Sequence, residues 1–259
     1  MLTRAELGRQ FKLARASLPN VIANQLLYIF IFFLLSGLSN VLTGGQFDRQ
    51  GQLVFLIGYL VWRVGTGAME EMVLSFASDA QWGTLEQVWS SGSSLSTLLF
   101  ARTINYFLFF TARAVVIAAI ILPIVRYEIA LVPGALLVYT VTLLGTVGLA
   151  FLLIGLHLIY KSVTFLANFI AFLLFFLTGV LSPFENIPTL FAISRVLPLS
   201  SGVDVLRAML VDGQRLGDVL NSADFWLMLV TSIVYLFIGL ATLQYARRRA
   251  MSDGSLAHY

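Results

Sequence analysis

Four charged side chains stand inside long apolar stretches, where a charge needs either a partner or a task. Arg63 falls near the middle of one apolar block and Arg113 near the middle of the next, with Glu70 and Glu71 closer to one end of the first. Each such charge costs about 2.5–3.5 kcal/mol to insert at the centre of a membrane helix, so it seldom faces lipid. Glu70 lies seven residues beyond Arg63, about 10.5 Å along one helix face, and Arg113 would sit on the adjacent antiparallel helix as a further member of the network. Two readings stand side by side: a gating latch or anionic-headgroup site, and a structural ion pair. His157, a single imidazole with no carboxylate close to it in sequence, reads as an interface residue rather than a proton carrier.

Little else in the chain could break or make bonds. The aspartates scatter between the apolar blocks, no H-E-x-x-H or C-x-x-C occurs to hold a metal, and there is no cysteine at all. No G-x-x-x-x-G-K-[ST] run is present to cradle a nucleotide phosphate. The net charge is +3, and the basic residues flank apolar blocks instead of gathering on one face, which argues against a nucleic-acid partner.

Composition identifies the solvent. Of 259 residues, 59% are hydrophobic and 11% charged, with 21 phenylalanines; a soluble domain carries about 25% charged residues. The apolar blocks run about 20–42, 53–77, 97–125, 129–158, 162–181 and 225–246, each long enough for a helix across a hydrocarbon core of about 30 Å. They are continuous rather than alternating, which excludes a β-barrel. The first is too long for a signal h-region and lacks a small-x-small cleavage site, so it is expected to be retained. Six spans put both tails on one side. Arg4, Arg9, Lys12 and Arg15 before the first block, with Arg247, Arg248 and Arg249 after the last, make that side cytoplasmic and the chain a multi-pass protein of the cell (inner) membrane. Thr3 and Glu6 have capping-box spacing, and Leu7, Phe11, Ala14 and Leu18 recur at helical period, predicting an amphipathic helix in the interface. No linker or repeat divides residues 1–259, which are expected to form a single domain.

Two connections stand out. In the cytoplasmic one, Thr84 and Gln87 form a capping box, and Leu85, Val88 and Trp89 an apolar stripe; the resulting short helix either docks into a cytoplasmic partner or lies on lipid. In the outer one, Pro188 suits a helix N1 position, Leu190, Ile193 and Leu197 give an apolar face, and Pro198 ends it, with a second short helix from about Val203 to Leu210. Neither can span, so a re-entrant pair packed on protein is expected. Phe165, Phe169, Phe172 and Phe176 form one aromatic stripe along the fifth block, suited either to lining a path for a greasy substrate or to helix packing and lipid contact.

The stretch Gly83-Thr84-Leu85-Glu86-Gln87, with Arg102 opening the third block, resembles the permease subunits of ABC-2 type exporters. So does the run Gly179-Val-Leu-Ser-Pro183, then Ile187-Pro188, Leu197-Pro198-Leu199 and Asp204-Val-Leu-Arg207; Gly92 and Ser93 depart from the family's habit of a proline about five residues past the first motif. The resemblance implies an all-α membrane protein: six transmembrane helices, an amphipathic N-terminal interfacial helix, a cytoplasmic coupling helix between spans 2 and 3, and a short re-entrant helical pair between spans 5 and 6. It further implies that Gly83–Trp89 contact a nucleotide-binding ATPase subunit, which would carry ATP and Mg, while this chain holds no cofactor. A second copy, or a related permease, would complete a pathway for a drug, lipid, peptide or lipid-linked glycan. The rival class is a secondary transporter driven by an ion gradient, which also places charges and broken helices at mid-membrane.

The topology is testable in a chain without native cysteine. Asn186→Cys should react with an impermeant thiol reagent added outside intact cells, and Glu86→Cys should not; the reverse pattern would invert the orientation.

Overall fold

A computed structural model describes residues 18–42, 49–82, 95–127, 132–161, 163–180 and 188–252. Among these the backbone forms nine α-helices and no strand: α1 Leu18–Leu42, α2 Arg49–Gln81, α3 Leu95–Val125, α4 Pro133–Tyr160, α5 Thr164–Leu177, α6 Pro188–Val196, α7 Ser200–Leu210, α8 Leu216–Leu220 and α9 Ala223–Ser252. The expected interfacial helix ahead of Leu18, the Gly83–Trp89 segment and Pro183 lie outside the described residues.

Five helices, α1, α2, α3, α4 and α9, are long and apolar enough to cross a membrane. Helix is the only open-ended way to do so, because lipid offers no partner to a free N–H or C=O. The block at 162–181 forms the 14-residue α5, about 21 Å long, which ends in the turn Thr178–Val180. Local chemistry sets several ends. Pro133 opens α4 after the extended Val132, Pro188 opens α6 as its spacing predicts, and Lys161 closes α4 with a left-handed φ of 60°. The second short helix of the outer pair begins at Ser200, three residues earlier than expected, and α8 follows it unannounced by any apolar pattern.

α2 is the centre of the bundle. It packs against α1, α3, α4, α5 and α7, and 72% of its most apolar window is buried, against 11% for α1. We call the end of the bundle with Leu18, Gln81, Leu95 and Ser252 the terminal end, and the other the far end. α2 and α3 run antiparallel, with Thr103 of α3 3.6 Å from the Met72 sulfur of α2.

The most extensive helix pair is α4 with α9, and it is parallel. Thr142 meets Met228, Gly148 lies against Tyr235 and Gly239, and Gly155 against Thr242. A Cβ on Gly148 would stand 2.2 Å from the Tyr235 carbonyl carbon, and one on Gly239 would stand 2.0 Å from the Gly148 oxygen. The backbones therefore touch, as small residues allow in membranes, where dispersion and close packing replace the hydrophobic effect as the drive for helix association.

Gly148→Ala or Gly239→Ala must separate the two backbones. Each should cost about 1–3 kcal/mol or more through overpacking and lower the melting temperature of the detergent-purified protein. Gly37→Ala in α1, where nothing lies within 4 Å of the new methyl, should be neutral or gain about 0.5–1 kcal/mol.

Candidate functional site

Functional side chains occupy three levels along α2. At the terminal end Arg102, buried on the second turn of α3, forms an ion pair with Asp79 of α2. It also donates from Nη1 to the Ser75 hydroxyl at 3.3 Å. Ser75 and Asp79 are one turn apart, so a single guanidinium reads one face of α2. The clamp joins the two helices just short of the connection 83–94.

At mid-height lie Arg63 and Arg113. The Arg63 guanidinium covers the Tyr28 ring of α1 at 3.9 Å and lies 5.0 Å from the Phe110 centroid. Arg113 covers Phe109 at 4.2 Å and lies 5.5 Å from Phe110. Gly67 makes room for this: a Cβ there would fall 2.2 Å from Arg63 Nη1 and 2.4 Å from a Phe110 ring carbon. The Gln25 amide of α1 donates to the Arg113 carbonyl at 3.0 Å. Neither arginine forms an ion pair among the described residues; Glu70 acts on Arg63 and Glu71 on Arg113 through space, at the longer range that their spacing along α2 predicts. Aromatic faces return about 0.5–2 kcal/mol each, against an insertion cost of about 2.5–3.5 kcal/mol per charge. The rings solvate the cations without neutralising them.

At the far end, α7 is buried in the bundle, and the largely exposed α6 leads into it beside the end of α5. Arg207 of α7, 7% exposed, donates from Nε to the Val54 carbonyl of α2 at 3.1 Å. Its Nη2 donates to the Gly179 and Val180 carbonyls at 3.0 and 3.4 Å, and its Nη1 to Asp204 at 3.4 Å. Helix α5 stops at Leu177, where its last carbonyls lose their intrahelical partners and carry the negative end of the helix dipole. Arg207 supplies donors and positive charge beside that end, on the turn that follows. Gly58 permits its approach, since a Cβ there would lie 2.7 Å from Nη2.

The Leu197-Pro198-Leu199 corner locks this arrangement. Pro198 packs on Gly145 of α4, where a Cβ would lie 2.7 Å from the proline Cβ, and the buried Leu199 packs on Gly65 of α2. Leu199 holds φ at 85°, a conformation costly for any side-chain-bearing residue and kept only when its surroundings fix it. Its carbonyl accepts from Val203 at 2.7 Å, opening α7. Asp204, Arg207, Arg195, Asp212 and Asp224 line a polar cavity of about 330 Å³ at this end.

A second cavity, of about 510 Å³, lies between α2, α3, α4 and α7, walled by Ile57, Val61, Ala114, Leu136 and Leu206. Its polar groups, Thr111 and Tyr139, satisfy each other at 2.7 Å. Sequence periodicity gives no signal for it, because its walls come from four separate helices. Phe165, Phe169, Phe172 and Phe176 all point away from the bundle, with Ala167, Ala171 and Leu174 on the buried face of α5. His157 is 3% exposed and meets Phe76 edge-on. It packs between α4 and α2, three residues before α4 ends at Tyr160.

The far-end level joins Gly179 and Val180 to the Leu197-Pro198-Leu199 corner and the Asp204–Arg207 pair, and the family model for the ABC-2 type transporter matches residues 1–211. The chain belongs to the ABC-2 type transporter family. As an ABC-2 membrane protein it is a multi-pass permease, not itself catalytic. The ABC-2 match ends one residue past α7, and α8 and α9 follow it. Among curated proteins none matches the chain.

Hydrogen bonds to a charged donor contribute about 1.5–3 kcal/mol each. Arg207→Met, which strands the carbonyls of residues 179 and 180, should lower the melting temperature by on the order of 5–10 °C. Arg207→Lys should recover only part of this, because an ammonium cannot reproduce the fork that reaches three carbonyls. Gly58→Ala should act in the same direction by displacing Nη2.

Proposed function

We propose that this permease is the membrane half of an ATP-driven exporter, coupled to a separate nucleotide-binding subunit through residues Gly83–Trp89. The observation that carries the reading is the Arg102–Asp79–Ser75 clamp. It fastens α2 to α3 on both sides of the connection that holds the Gly83–Trp89 motif, so a force applied there reaches both helices together. α2 then touches α1, α4, α5 and α7, which makes it the element best placed to spread the displacement. ATP and Mg belong to the partner subunit in this scheme.

The two tails and the connection 83–94 are cytoplasmic, which makes the terminal end the inner one. In the cell membrane, α5 with its Thr178–Val180 turn completes a sixth pass, and α6 and α7 form the re-entrant pair that closes the outer side. The 1–259 chain acts as one domain. Two copies, or one copy and a related permease, enclose the route, with the outward Phe165–Phe176 stripe available to the seam between them. The substrate is hydrophobic or amphipathic, a reading supported by the 510 Å³ apolar cavity at the level of α7, within the 300–1,000 Å³ range of ligand pockets.

Leu85→Asp with Val88→Asp should place unpaired charge in a dry contact, at a cost of several kcal/mol. The purified complex should lose its ATPase subunit, or hydrolyse ATP without transport, while the permease keeps its own melting temperature. Normal co-purification and transport by the double variant would leave the segment as a lipid-facing anchor and remove the exporter reading.

A further inference from the structure

Arg63 and Arg113 rest on aromatic faces and form no ion pair among the described residues; Glu70 acts on Arg63 and Glu71 on Arg113 through space, without contact. Both guanidinium carbons lie within 5.5 Å of the same Phe110 ring, so the two cations are at most about 10.5 Å apart. Each is partly buried, each has an aromatic ring beneath it, and the Nε of Arg113 is enclosed with no hydrogen-bond partner. Gly67 leaves between α2 and α3 the room that Arg63 and the Phe110 ring fill. Guanidinium groups stacked on rings, whose N–H edges make no hydrogen bond to another described residue, suit an acceptor with two or more anionic oxygens, such as a phosphate.

The approach to the pair runs past α1. That helix is mostly exposed along its length, and near the site it is tied to the bundle by the Gln25 bond to the Arg113 carbonyl and by Tyr59 donating to the Tyr28 carbonyl at 2.8 Å. Leu26 and Phe30 of α1 and Val116 of α3 around it are exposed and apolar. A free inorganic anion would have to cross hydrocarbon to arrive there, whereas a phosphate carried on an apolar chain brings its own solubility.

We propose that Arg63 and Arg113 form a mid-membrane binding site for the phosphate of an anionic amphiphile, entering from the lipid side beside α1. This rests on the permease reading and narrows its substrate class from any hydrophobic compound to a phosphate-bearing one. Phe110 lies beside both guanidinium groups, Tyr28 and Phe109 orient them, and the hydrocarbon tail remains against α1 and α3.

The experiment uses the full-length chain purified in a neutral detergent, with thermal stabilisation read against added dioctanoyl phosphatidic acid, dioctanoyl phosphatidylcholine or inorganic phosphate. Phosphatidic acid should stabilise the wild type saturably and bind at least ten-fold tighter than the zwitterionic lipid. Arg63→Gln with Arg113→Gln should lose that ten-fold preference and leave weak phosphatidylcholine binding unchanged. Because the double variant removes two buried charges, its unliganded melting temperature should not fall. Gly67→Ala, which keeps both charges but crowds the socket, should weaken phosphatidic acid several-fold. Stabilisation by inorganic phosphate as well would identify a site that recognises the anion from water and lipid alike; stabilisation by the lipid alone would identify a headgroup site. Binding of neither, equal binding of the two lipids, or phosphatidic acid binding that survives the double substitution would overturn the proposal. So would a double variant that changes only the oligomeric state, since the arginines would then face a second subunit. No ATPase takes part, so a negative result leaves the exporter reading standing, and normal co-purification and transport by the Leu85/Val88 variant, which removes that reading, leaves this site standing.

Discussion

The guanidinium of Arg207 supplies partners to the backbone where α5 stops after 14 residues. In water such an ending would be trivial, because solvent would hydrogen-bond the freed carbonyls. At membrane depth an unmet carbonyl costs several kcal/mol, so a helix can break there only if the protein brings donors to it. Arg207 brings three N–H groups and a positive charge, reaching the turn after α5 and one carbonyl of α2. The consequence runs outward: α5 can be short because α7 carries an arginine, and α7 can carry it because Gly58 leaves room. The return of the chain through α6 and α7, the strained corner at Leu199 and the polar cavity beside it all follow from that requirement.

Close backbone approach is the second recurring device. Gly58 on α2, Gly145 and Gly148 on α4, Gly202 on α7 and Gly239 on α9 each lie where a methyl would collide with a neighbour, and at Gly65 on α2 one would fit tightly. A bundle in lipid gains little from hiding apolar surface, since lipid tails are as apolar as leucine, and its cohesion comes from contact area and interhelical hydrogen bonds. Glycine raises contact area by letting helix axes approach. The three charged levels on α2 then share one scaffold and stand at heights fixed by a single helix.

Much of this was written locally in the sequence. Five of the six apolar blocks are spanning-length helices, and Pro188 opens α6 and Pro198 follows its end as their chemistry requires. The Asp204–Arg207 spacing was visible as a motif, but its purpose was not, because the acceptors at Val54, Gly179 and Val180 lie far away in sequence. Spacing suggested a longer-range network of Arg63 with Glu70 and Arg113, and the three are coupled through space; the aromatic contacts of the guanidinium groups with Tyr28, Phe109 and Phe110 were not legible, because they depend on Gly67, whose missing side chain leaves the room that Arg63 and Phe110 fill. His157 read as an interface residue because depth along a helix is legible in sequence and helix rotation is not. The 510 Å³ cavity had no local signature, since four helices contribute to its wall.

The parallel union of α4 and α9 has a mechanical meaning. Two helices whose backbones interlock at Gly148 and Gly239 cannot slide or roll past each other without lifting one carbonyl over another, so they behave as a stiff beam. α7 is pinned to that beam through Gly202 against Thr142, and Pro198 against Gly145. α1, by contrast, hangs on the bundle by aromatic faces and side-chain bonds to two carbonyls, which permit rotation. Compliance is therefore distributed unevenly: the carboxyl-terminal half forms the frame, and the amino-terminal helix is the part of the molecule that can swing.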